Sequence, residues 1–161
     1  MTNELKAQLS AYDWGGDRGA LYELDELIKN VQTDKKQLAE IEQALLEVLE
    51  SGVKTAAVDY ICRQLALMGT RRAVPTLAKL LQDEDLFDRA LYALQAIPEE
   101  AAAEALRTAL PAAKDHLRVG IVNSLGERHD EKAAALLTTL RDNPDATLAR
   151  AVKSALRKIE H

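Results

Sequence analysis

Only six of the 161 residues are aromatic, and just one of these is phenylalanine, so large rings cannot dominate the core of this chain. A single cysteine, Cys62, excludes an internal disulfide and any zinc site made of paired cysteines. It lies on an apolar helical face and reads as an inert core thiol. No apolar run approaches the length of about 18 residues that a membrane-spanning helix needs. The opening MTNELKAQLSAYDWGG lacks the charged-then-apolar layout of a secretion signal, so no export is expected unless a larger secreted parent carries the segment. Strand-like alternation and β-branched runs are nearly absent, which removes the sheet classes. The nucleophile elbow, the phosphate-binding glycine loop and the calcium loop are also missing. Of the three histidines, His116 and His129 fall near helix starts thirteen residues apart and cannot share one helix face; His161 is the last residue. No catalytic, metal or cofactor site is expected.

Positive charge is scarce at the front. Residues 1–50 hold eleven acids and five bases, a net −6, whereas residues 51–161 hold fifteen acids and sixteen bases, a net +1. A net charge of −5 makes nucleic acid an unfavourable partner, since phosphate binding needs a concentrated basic face.

What the chain has in quantity is alanine and leucine, both strong helix formers, and alanine lets neighbouring backbones approach closely. Apolar spacing and breakers predict ten helices, at 3–10, 18–31, 34–50, 54–68, 71–82, 86–97, 99–110, 115–127, 131–141 and 146–159. Between them lie Gly15-Gly16, Thr33-Asp34, Ser51-Gly52, Gly69-Thr70, Pro98, Pro111 and Asn143-Pro144. Gly69 is expected to end its helix in the left-handed conformation, and Pro75 to bend the helix that follows. Such short gaps make consecutive helices antiparallel neighbours.

The helices repeat in pairs. Leu65, Leu94, Leu125 and Leu156 recur in first helices, and Ala73, Ala102, Ala133 with Leu77, Leu106, Leu137 in second helices. Ile121 and Arg128 map in the same way onto Val152 and Ile159. A unit of about 30 residues that cannot hide its own apolar face is the mark of a solenoid. The expected layout is a single domain with an N-terminal cap (1–16), a divergent first pair (17–52), three clearer repeats (53–145) and a terminal helix (146–161).

The segment LMGTRRAVPTLAKLLQDEDLFDRALYAL resembles the short bacterial HEAT repeats, also seen in phycobilin lyase-like proteins. The matching residues are Arg72, Ala73, Val74, Pro75 and Leu77, then Leu80-Leu81, Asp83, Asp85 and Arg89-Ala90. The later copies EEAAAEAL and DEKAAALL lack the proline. The resemblance implies an all-α, right-handed α-solenoid that serves as a non-enzymatic, monomeric protein-interaction scaffold, with second helices lining a concave face. Carried over position by position, that face holds Arg72, Ala101 and Lys132 in one row, Thr76, Ala105 and Leu136 in the next, and Lys79, Thr108 and Thr139 in the third. Small residues with bases at the rim suit a close-lying peptide or helix of some acidic character. The runner-up readings are an enzyme accessory of lyase-like type and, third, a nucleic-acid-binding HEAT-like protein. No membrane partner is expected, and the cytoplasm is the default location. Some HEAT-type iron hydroxylases use His-Glu dyads, and no His-Glu pair occurs in this chain.

Three further expectations concern local contacts. Tyr12 and Trp14 are expected to fold over Leu21, Leu24 and the LLEVL helix as a lid. Asp85 with Arg89 and Asp145 with Arg150 read as stitching ion pairs. The acids of LYELDELI and LAEIEQALLEVLE read as solvated outer faces, and His129 as a loop residue standing where a turn glycine would.

Overall fold

A computed structural model describes residues 1–161, which form ten α-helices, one 3-10 turn and no strand. The helices are α1 (Asn3–Ala11), α2 (Gly19–Asn30), α3 (Lys35–Glu50), α4 (Thr55–Met68), α5 (Val74–Leu80), α6 (Phe87–Ala96), α7 (Glu100–Ala112), α8 (Asp115–Glu127), α9 (Ala134–Thr139) and α10 (Ala146–Ile159). The 3-10 turn Glu131–Ala133 leads into α9. No helix is long and apolar enough to cross a membrane. Side-chain caps begin three helices: Thr2 accepts from the Leu5 N–H, Asp34 from Lys36 and Gln37, and Asp145 from Thr147 and Leu148.

Helices α4, α6, α8 and α10 pack in succession, while α3, α5 and α7 pack in succession beside them. Helix α1 lies against α2, α3 and α4. A connected cluster of 37 buried residues runs from Leu5 to Ala155, so the aliphatic interior is continuous. The inner positions read from the repeat are buried: Leu65, Leu94, Leu125, Ala73, Ala102, Ala133, Leu77, Leu106 and Leu137 are all closed to solvent. Leu156 is only partly buried. On α10 the fully enclosed residue is Val152, one turn earlier, because α10 meets α8 along a single flank.

Several local expectations are corrected. Gly69 is extended (φ −63, ψ 145), not left-handed. Glycine is needed there because a Cβ would stand 2.4 Å from the Leu65 carbonyl oxygen and 3.0 Å from Ile97 Cδ1. Helix α5 begins at Val74, which places Pro75 in the first turn, where its missing N–H costs nothing and bends nothing. Pro111 does not end its helix but lies inside the last turn of α7. Trp14 is 58% exposed and covers nothing; the front is closed by Leu5 and Leu9 of α1, with Tyr12 packed at the edge of the core. Arg89 donates to the backbone carbonyl of Asp85 (2.7 Å) and pairs with Asp59 (3.5 Å), and Asp145 caps α10 without meeting Arg150.

The acids of α3 divide. Glu42 is fully buried and accepts from the Thr70 N–H (2.6 Å) and the Thr70 hydroxyl (2.9 and 3.0 Å), pinning the α4–α5 turn onto α3. Glu50 accepts from the Thr76 hydroxyl at 2.8 Å. Cys62 is buried as expected, and burial pushes its thiol up to about 12.

Helices α8 and α10 come into backbone contact at Gly126, where a Cβ would lie 2.8 Å from Ala155 Cα and 2.9 Å from its Cβ. Backbone cannot swing aside as a side-chain tip can. Gly126→Val is therefore expected to lower stability by about 1–3 kcal/mol, the usual cost of overpacking. Urea unfolding checks this, and a midpoint equal to the parent's would mean that α8 and α10 stand further apart.

Candidate functional site

Helices α5 and α7 lie side by side without closing over the space between them, which leaves a groove of about 850 Å³. Val74, Pro75 and Ala78 of α5 form one wall. Ala101, Ala105, Thr108, Ala109 and Ala112 of α7 form the other, at helical spacing, so that a flank of methyl groups faces the opening. Leu81 at the end of α5, Phe87 at the start of α6, and Leu117 and Ile121 of the first half of α8 make the floor. Phe87, the single phenylalanine, is nearly enclosed and contacts the core below.

Four charged residues lie in the lining: Arg71, Glu84, Glu104 and Lys114. Lys114 and Glu84 pair at one end, and His116 Nε2 stands 3.5 Å from the same Glu84. Arg71 and Glu104 line opposite walls, each without a counter-charge within 4.0 Å. Thr108 carries the one hydroxyl in the lining. The arrangement offers shape and apolar contact, with a base and an acid free to orient a ligand.

Of the residues expected on the concave face, Ala101, Ala105 and Thr108 line this groove. The others do not. Thr76 is buried and bonded to Glu50, whereas Arg72, in the turn before α5, and Lys79 of α5 are exposed outside the lining. Lys132 is drawn 2.9 Å from Glu100, which also meets Arg107 at 2.7 Å. Together Lys132 and then Arg107 hold the Glu100 carboxyl down at about 2. Leu136 packs against the core edge, and the Thr139 hydroxyl donates to the Leu136 carbonyl.

The reason for the partial mismatch is geometric. A groove between two neighbouring helices is lined by the facing flanks of both, and facing flanks are different positions along each helix. On α7 the expected positions are the right ones. On the α5 side the lining set is Arg71 of the preceding turn with Val74, Pro75 and Ala78 of the helix, about one residue or 100° round from the expected rows. The RAVP run contained this signal, since Val74 and Pro75 are apolar residues beyond the interior series Ala73 and Leu77.

Of the histidines, His116 meets the groove residue Glu84, and His129 lies away from the groove. His129 adopts φ 50, the conformation a turn glycine would supply, and its ring nitrogen Nδ1 lies 2.6 Å from the Lys158 carbonyl, to which it donates. Neighbouring Arg128 reaches back across the helix pair: Nη1 donates to the carbonyls of Leu94 (2.9 Å), Gln95 (2.9 Å) and Ile97 (2.5 Å), and Nη2 to that of Glu99 (2.9 Å). Burial lowers its guanidinium from the usual arginine value.

No protein-family model matches this chain, and no curated protein matches it.

Proposed function

We propose that this chain is a non-enzymatic protein-interaction scaffold, a right-handed α-solenoid of HEAT-like helix pairs that receives a helix or extended peptide in the α5–α7 groove. The α4–α6–α8–α10 row beside α3–α5–α7, together with the recurrence of buried positions about every 30 residues, supports the solenoid reading. The observation that carries the binding role is the groove itself: a trough walled by alanine methyls and floored by Phe87, Leu117 and Ile121, which only another apolar surface would fill well. Free Arg71 and Glu104 on opposite walls would set the direction of the bound segment.

Thr108→Glu combined with Ala112→Glu places two charges at exposed positions of the α7 wall. The expected result is loss of partner capture, at least tenfold in affinity once the captured segment is made as a peptide and titrated, with the thermal melt unchanged. Thr139→Glu, which lies off the groove, should bind as the parent does. Equal capture by all three proteins would remove the groove from consideration.

A further inference from the structure

Ten of the lysine and arginine side chains, among them Lys6, Arg63, Arg107, Lys132 and Lys158, stand within 4.0 Å of an acid. Four that do not, Arg141, Arg150, Lys153 and Arg157, converge on one cleft of about 800 Å³ between the loop before α10 and the exposed side of α10. All four are solvent-exposed, and Arg150, Lys153 and Arg157 fall at i, i+3 and i+7, one above another along the helix. Pro144, Ala146, Ala149 and Leu156 supply an apolar floor between them. This side of α10 is opposite the flank that packs on α8 through Leu148, Val152 and Ala155.

We propose that this cleft is a second docking site, separate from the α5–α7 groove, for an acidic amphipathic segment of a partner protein. The bases take the segment's carboxylates and Leu156 meets its apolar side. Three of the four bases are arginines, whose planar fork suits bidentate bonding to a carboxylate. A phosphate backbone fits less well. The lining includes Asp142 and Glu160, it contains no aromatic ring on which a base would stack, and the chain as a whole carries −5. A protein segment can answer Asp142 and Glu160 with bases of its own.

The test is fluorescence anisotropy of the full chain with a labelled amphipathic peptide of glutamate, alanine and leucine, beside the same peptide with glutamine for glutamate and a labelled single-stranded DNA. The parent is expected to hold the glutamate peptide at least tenfold more tightly than the glutamine one, and to weaken as salt rises. Arg150→Glu with Arg157→Glu should lose that preference while melting as the parent does, since both residues are exposed. Arg150→Lys with Arg157→Lys should keep part of it. Thr108→Glu with Ala112→Glu should leave it intact, which separates this site from the groove. The proposal is overturned by equal affinity for the two peptides, by unchanged binding in the charge-reversed variant, or by DNA binding more tightly than the glutamate peptide.

Discussion

Leu94→Ala is expected to cost about 2–5 kcal/mol of stability, the range seen when a buried leucine leaves a cavity. Leu94 is closed to solvent, and its helix, α6, touches α4, α5, α7 and α8. With neighbours on four sides, the hole cannot collapse without shifting several helices, which argues for the upper half of that range. The natural control is Leu67→Ala. Leu67 is 80% exposed on α4, so the same chemical change there should alter stability by no more than about 0.5 kcal/mol. Urea titration of the two variants separates the cases. A Leu94→Ala protein that unfolds with the parent would mean that α6 does not occupy the centre of the packing.

Arg128→Ala is the second large effect, on the order of 3 kcal/mol. The guanidinium satisfies four carbonyls between Leu94 and Glu99, where α6 ends and the chain turns into α7. The last carbonyls of a helix have no partner within it, and here an arginine from the following helix pair supplies the donors. Its removal leaves partly buried acceptors unpaired, which costs more than the loss of an exposed hydrogen bond. Arg128→Lys is the informative companion: the charge is kept and the planar fork is lost, so less than half of the stability should return. Hydrogen exchange gives an independent readout, with amides at the α6 end and the start of α7 exchanging faster while those of α1 stay unchanged. Full rescue by lysine would reduce the role of Arg128 to its charge.

The Arg128 bonds illustrate what sequence periodicity misses. Its alignment with Ile159 treats the position as one more member of the repeating series, and nothing in the spacing marks it as a clamp on the previous pair. Glu42 is a similar case: among the acids of α3 it looks like a surface residue, and only the approach of Thr70 from the α4–α5 turn explains its burial. His129 went the other way. It occupies a position where its neighbours in the repeat have a turn, and its positive φ agrees with that reading.

By itself the sequence determined the helical class, the number and approximate bounds of the helices, the buried series led by Leu65, Leu94 and Leu125, and the inert Cys62. All of these depend on periodicity and on local breakers, and a helix of 3.6 residues per turn writes its inner face directly into the order of residues. Tertiary structure alone decided which flank of α5 meets the groove, which acids lie inside, and what Arg128 and Gly126 touch. These follow from the separation and rotation of helices far apart in sequence. A rotation of one residue, about 100°, exchanges one flank for another while leaving the apolar pattern nearly the same.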